Sequence, residues 1–95
     1  MSIRTFAHKD VEELFYTGHS RRIGTNFHRR MRLILDAIDG ATGVADLVGA
    51  YGFHALKCER GGTYAMSVSA NWRLTFRFER GTTGDVLDVD FEDYH

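Results

Sequence analysis

The 95-residue sequence contains no proline, a single cysteine and no long apolar run. Cys58 alone cannot form an internal disulfide or complete a thiolate metal site, so we expect a reducing, cytoplasmic setting. No stretch approaches the roughly 18 apolar residues that a membrane helix needs, and the N-terminus lacks a basic start followed by an apolar stretch. These absences argue against both a membrane protein and a secreted precursor.

Sequence motifs for metals and nucleotides are also missing. The five histidines show no closely spaced pattern of the kind that zinc sites use. There is no phosphate-binding loop of the G-x-x-x-x-G-K-[ST] type and no G-x-S-x-G nucleophile elbow. We therefore expect neither a metal nor another cofactor.

The chain also lacks an excess of either charge, since 12 Lys and Arg face 13 Asp and Glu. The signs are nevertheless separated: residues 1–34 hold seven basic and three acidic side chains, and residues 84–95 hold five acids and no Lys or Arg. A general nucleic-acid binder usually has a clear basic excess, but a charge-segregated chain presents a basic face despite a neutral sum. Two interpretations stay open, a basic binding face or an acidic end that neutralises the basic start.

Apolar residues make up 43% of the chain and aromatic residues 13%. At this length about 60–65% of the unfolded surface is buried on folding, which supports one core. We expect a single domain over residues 1–95. Residues 2–6 alternate as a short strand, and residues 8–16 have the spacing of an amphipathic helix that ends at Gly18.

A second amphipathic stripe follows the first helix. Thr25 or Asn26 is expected to cap this helix, and Gly40 to end it. Residues 42–48 are expected to add a further helical turn.

The period then changes to that of strands. Glycine turns at residues 61–62 and 81–84 separate stretches in which apolar and polar side chains alternate: residues 53–58, 64–69, 72–79 and 87–92. Leu87, Val89 and Phe91 are expected on one face of the last strand. The order predicts an α+β fold, with an N-terminal strand, two or three helices and an antiparallel sheet of three to four strands. The helices should cover one face and leave the other open.

The open face is predicted to carry arginines. Trp72, Leu74, Phe76 and Phe78 form the apolar set of their strand, so Arg73 and Arg77 point the other way. Such a face suits an extended anionic ligand.

Two further places carry chemistry-bearing side chains. His54 and Lys57 lie three residues apart, on opposite faces of a regular strand, or at one edge if the strand ends or bulges. The tail offers Asp93 as an acceptor, Tyr94 as an aromatic platform and His95 as a proton-transfer group. The alternatives are a surface histidine at residue 54 and a frayed tail.

Four segments resemble the HigB toxins of the RelE/ParE superfamily. That family commonly shows H-P-L-K-G-D-R, a W-S-[IV]-x-V strand, N-W-R-[IL]-T-F and a closing D-Y-H, in that order. The matching segments are residues 54–60 (HALKCER), 64–68 (YAMSV), 71–76 (NWRLTF) and 88–95 (DVDFEDYH).

The resemblance implies a RelE-like, microbial ribonuclease-like fold and a ribosome-dependent mRNA endonuclease, the toxin of a type II toxin–antitoxin pair. The implied partners are a HigA-type helix-turn-helix antitoxin, the ribosome with its mRNA, and operator DNA reached through the antitoxin. The implied reaction is attack of a ribose 2′-hydroxyl on the adjacent phosphate, without a metal.

The resemblance also implies roles for individual residues. Lys57 and Arg73 would bind the scissile phosphate, and His95 would lead proton transfer with His54 as its alternative or support. Tyr94 would stack on or orient a base, and Asp93 would position its neighbours. Arg60 and Arg77 would contact the RNA backbone.

A second hypothesis is a RelE-like binding module with weak or no catalysis, which acts as antitoxin partner or co-repressor.

Overall fold

The computed structural model describes residues 2–94. Helix α1 spans Lys9–Thr17 and buries Val11 and Leu14. It ends where predicted, because Gly18 takes the left-handed conformation (φ 82°) and donates its N–H to the carbonyl of Leu14 at 2.8 Å. Helix α2 spans Thr25–Gly40 and buries an apolar stripe of Met31, Ile34, Leu35 and Ile38.

The predicted cap of α2 is wrong. Thr25 is already helical, and Gly24 occupies the capping position without a side-chain hydrogen bond. The carbonyl of Gly24 instead accepts the N–H of Phe27 at 2.9 Å. The further helical turn exists as a short 3₁₀ turn, Val44–Asp46.

Four strands form one antiparallel sheet in the order β1-β2-β3-β4, a meander. The strands are β1 (His54–Ala55), β2 (Thr63–Ser67), β3 (Trp72–Phe78) and β4 (Val86–Asp93). The turn between β3 and β4 contains Gly81 and Gly84, both at positive φ. The α+β class and the antiparallel sheet are confirmed.

Two predicted strands are shorter than expected. The stretch at residues 53–58 pairs only at His54 and Ala55, and the 3₁₀ turn Cys58–Arg60 follows. Lys57 therefore lies outside the strand. The N-terminal segment forms only isolated parallel bridges to β4, Ile3 to Val86 and Phe6 to Val89.

A bulge in β4 overturns the predicted alternation of that strand. Asp88 has a φ of 56°, and the register with β3 shifts at this point. Because the bulge adds a residue, Val86 and Val89 are both fully buried. Leu87 pairs with Arg77 and is only half-buried, so it does not share the face of Val89.

The helices cover one face of the sheet, as predicted. Leu74, Phe76 and Phe78 of β3 belong to the same buried cluster as the apolar stripe of α2. The opposite face carries the arginines of β3. Within residues 2–94, no helix is long and apolar enough to cross a membrane.

Candidate active site

The candidate site lies on the open face, where β2 and β4 end and β3 begins. Register places Ser67 of β2, Arg73 of β3 and Glu92 of β4 side by side. Side chains of paired residues in an antiparallel sheet project from the same face, so these three are neighbours. Arg73 is the predicted member of this row.

Glu92 is the centre of a hydrogen-bond network. Its carboxylate accepts two hydrogen bonds from Arg60, at 2.7 and 2.6 Å, one from the Thr75 hydroxyl at 2.8 Å and one from Arg73 at 3.3 Å. The hydrogen bonds from Arg60, with those from Thr75 and Arg73, hold the pKa of Glu92 at about 2, against burial that acts to raise it. The same bonds raise the pKa of Arg60. The network is charged throughout the physiological range, with two cations to one anion.

Tyr94 connects the tail of the chain to this network. Its hydroxyl and the Ser67 hydroxyl share a hydrogen bond of 2.7 Å, and the guanidinium carbon of Arg73 lies 5.1 Å from the centre of its ring. Its backbone N–H donates to the carbonyl of Asn71 at 2.9 Å. The interpretation of the tail as frayed is therefore wrong for Tyr94, which is half-buried and bonded.

Arg73 has donor capacity left over. Its side chain is 15% exposed, and one terminal nitrogen bonds to Glu92. Its buried Nε finds no acceptor within residues 2–94. A buried N–H without a partner costs free energy, so a hydrogen bond to an oxygen acceptor would be favourable at this nitrogen.

A family model described as the RelE-like toxin of type II toxin–antitoxin system HigB matches residues 4–95. The chain belongs to the HigB-like toxin family. Endoribonuclease HigB of Proteus vulgaris is 37% identical over 94 residues, which cover 98% of this chain and 99% of that relative. The resemblance found in the sequence is confirmed, and membership in a type II system implies an antitoxin partner.

The structure of this HigB-like toxin brings some predicted site residues together and separates others. Arg60, Arg73 and Tyr94 meet at Glu92 and Ser67. Arg77 does not join them, because it lies four residues along β3, about 13 Å away, and pairs with Asp88 at 2.7 Å.

His54 lies in the edge strand β1, and Lys57 follows just after that strand. His54 pairs with Ala65, which pairs with Thr75, so its side chain lies on the open face. It is exposed, and its Nδ1 lies 2.9 Å from the carbonyl of Gly52. Lys57 is exposed and has no ion pair within the described part of the chain. It immediately precedes the turn that carries Arg60.

Asp93 and His95 are the remaining predicted site residues of the tail. Asp93 ends β4, where it pairs with Trp72. His95 lies outside the described residues. Within residues 2–94, no group of three or more His, Cys, Asp or Glu is arranged to hold a metal ion.

Sequence analysis of this toxin missed several members of the network. The register of β3 and β4 places Glu92 and Thr75 in the network. Because β4 contains a bulge, this register cannot be derived from the alternation of apolar and polar residues alone. Arg30 comes from α2, and its guanidinium donates to the carbonyl of Ser67 at 3.1 and 3.2 Å while lying 4.8 Å from the Tyr51 ring. No local signal links a helix residue to the end of β2.

Proposed function

We propose that this toxin is an endoribonuclease that cleaves translated mRNA on the ribosome and so inhibits translation and growth. The observation that supports it most is Arg73, whose guanidinium lies over the Tyr94 ring and whose buried Nε has no acceptor among residues 2–94. A cation beside an aromatic ring suits a phosphodiester next to an unstacked base. The endoribonuclease named among the relatives points to the same activity.

The proposed reaction uses the ribose 2′-hydroxyl as nucleophile. Its oxygen attacks the adjacent phosphorus, the bond from phosphorus to the 5′-oxygen breaks, and the products are a 2′,3′-cyclic phosphate and a 5′-hydroxyl. A base takes the proton from the 2′-hydroxyl, and an acid gives a proton to the leaving 5′-oxygen. Cations stabilise the charge that develops on the non-bridging oxygens.

The proposed residue roles are those that the family resemblance implies for this chemistry. Arg73 and the exposed Lys57 provide the cations at the phosphate. His95 leads proton transfer, with His54 as its alternative or support, and Asp93 positions its neighbours. Tyr94 offers its ring to a base.

Arg60 and Arg77 have a secondary role in the proposal. Each is held by a carboxylate in the free protein, Arg60 by Glu92 and Arg77 by Asp88. Contact with the RNA backbone therefore requires each of them to exchange that partner.

In this proposal the ribosome presents the RNA, which the free chain is not expected to bind strongly. The net charge is −1, and Glu92 offsets part of the local positive charge, so strong autonomous RNA binding is not expected. We place the activity in the cytoplasm, where the message is translated. A HigA-type antitoxin with a helix-turn-helix domain is the proposed partner, and it would link the toxin to operator DNA.

The test is cleavage of a translated message by purified protein, with the new 5′ ends mapped. Arg73→Ala and Lys57→Ala should each lower kcat by about 100-fold or more, since each removes a donor to the developing phosphorane. Arg80→Ala is the matched control, because Arg80 is an exposed arginine paired with Glu79 outside the site. It should match the wild type.

Two outcomes would overturn the proposal or part of it. Folded wild-type protein that leaves translated messages intact and cells growing would favour the binding-module hypothesis. Full activity of His95→Ala would remove His95 from the reaction.

A further inference from the structure

Glu92 stands between the two arginines of the site, and no role was assigned to it from sequence. It comes from β4, whereas Arg60 lies 32 residues earlier in the chain. Its side chain is 20% exposed and its bonds to Arg73 and Thr75 are partly buried, whereas the Arg60 side chain is 44% exposed. A bidentate charge-assisted pair such as Arg60 and Glu92 nevertheless favours one geometry for both partners.

The two arginines use Glu92 differently. Arg60 commits both terminal nitrogens to the carboxylate, at 2.7 and 2.6 Å. Arg73 commits one nitrogen at 3.3 Å, and its buried Nε has no acceptor within the described residues 2–94. In this geometry Arg60 is an anchor on Glu92 rather than a contact to the RNA backbone, and Arg73 is the cation with donor capacity left for a phosphate.

The Arg60 anchor also holds the segment that bears Lys57. The 3₁₀ turn Cys58–Arg60 has local backbone bonds of 3.0 and 3.2 Å, and Cys58 has a strained φ of 58°. On one side of Lys57, the N–H of Leu56 donates to the carbonyl of Thr63 at 2.9 Å and ties the loop to β2. On the other side, the bidentate bond from Arg60 to Glu92 adds a second connection, to β4, across the segment that bears Lys57.

We propose that Glu92 is a positioning residue for RNA cleavage, which orients Arg73 directly and places Lys57 through Arg60. This inference rests on the proposed function. The competing role is that of a simple counterion, which would weaken RNA binding without aligning anything. When the charge is removed, the two roles predict changes in different kinetic constants: kcat for a positioning residue and KM for a counterion.

The decisive measurement is the split between kcat and KM for Glu92→Gln on translating ribosomes. Loss of positioning should lower kcat by about 10- to 100-fold, because small misplacements of reacting groups are costly. Loss of a counterion should instead lower KM for the anionic RNA and leave kcat unchanged, and that result would overturn the proposal. Asp85→Asn is the matched control, since Asp85 pairs with Arg4 at 2.7 Å away from the site. It should leave both constants at wild-type values.

Coupling between Glu92 and Arg60 tests the indirect part of the proposal. Arg60→Gln should also lower kcat, and the double variant Arg60→Gln/Glu92→Gln should be no slower than the slower single variant, since both changes break one connection. Fully additive effects on kcat would show that Glu92 does not act through Arg60.

Glu92→Asp keeps the charge with a shorter reach and should recover part of the lost kcat. No recovery with the fold intact would contradict the proposal.

Arginine side-chain NMR separates this inference from the proposed function. In the wild type the bidentate pair should slow rotation of the Arg60 guanidinium and keep its terminal nitrogens distinct. Glu92→Gln should merge these signals, and Asp85→Asn should not. Unchanged Arg60 signals in Glu92→Gln would refute the anchor even if the wild type cleaves RNA. Merged signals with a wild-type protein that cleaves nothing would refute the proposed function and keep the anchor.

Discussion

Tyr94 makes two contacts with different parts of its side chain. The hydroxyl bonds to Ser67, and the ring lies under the guanidinium of Arg73. A cation over a ring keeps the guanidinium plane in place, and the bond to Ser67 fixes the ring itself. At the residue scale, the site is therefore a set of side chains that hold one another.

Substitutions at Tyr94 separate the two contacts. Tyr94→Phe should lower the free energy of unfolding by about 1 kcal/mol, because one hydrogen bond is lost, and should change kcat/KM by only a few-fold. Tyr94→Ala should lose about 1–3 kcal/mol of transition-state binding as the stacking surface disappears. Urea unfolding and cleavage on translating ribosomes measure the two effects. Tyr16→Phe, at a 66% exposed tyrosine, is the control. Equal losses of activity for Tyr94→Phe and Tyr94→Ala would assign the function to the hydroxyl.

Turns and bulges decide the geometry at the scale of elements. The alternation of residues 72–78 predicted β3 and both of its faces, because one strand face is buried against helices. The same argument misassigned Leu87, because the bulge at Asp88 shifts the register with β3. Bulges depend on the partner strand as well as on the sequence of the strand that contains them, so alternation does not reveal them.

Two glycines provide an element-scale test with opposite outcomes. Gly84 has a φ of 102° in the turn before β4, and an added Cβ would lie 3.2 Å from the Cβ of Glu79. Gly84→Ala should therefore lower the free energy of unfolding by more than about 1 kcal/mol. Gly40 ends α2, and nothing lies within 4 Å of an added Cβ. Gly40→Ala should be neutral or stabilising by up to about 1 kcal/mol. Urea denaturation of both variants measures the effects, and a stable Gly84→Ala would contradict the assigned turn strain.

At the scale of the whole molecule, the fold decides which basic residues pair with the acidic segment 84–95. Among the described ion pairs, acids of residues 84–95 meet Arg4 from the basic start, and Arg60, Arg73 and Arg77 from the middle of the chain. The expectation that the acidic end neutralises the basic start therefore holds at Arg4. Most of the pairing is with the middle segment, because β4 lies beside β3 in the sheet.

This pairing predicts a pH dependence of stability. The pKa of Glu92 is depressed in the folded state, to about 2 from an ordinary value of 4.5. Its contribution is therefore fully present above about pH 5 and is lost as the pH falls from there through 2. The free energy of unfolding of the wild type should exceed that of Glu92→Gln at neutral pH, and the difference should shrink below pH 4.5. Arg60→Gln should reduce this acid dependence, and a difference that stays constant with pH would contradict the assignment.

The sequence by itself determined the elements with strong apolar periodicity: both helices, the strand of Arg73 and the antiparallel order with its glycine turns. Periodicity is local, so it is readable without a structure. The shared motifs likewise identified the family. Only the tertiary structure decided that Glu92 joins Arg60 to Arg73, that Ser67 holds Tyr94, and that Arg30 reaches the end of β2 from a helix. These contacts join distant parts of the chain, and their geometry depends on strand register and on one bulge, which no local pattern encodes.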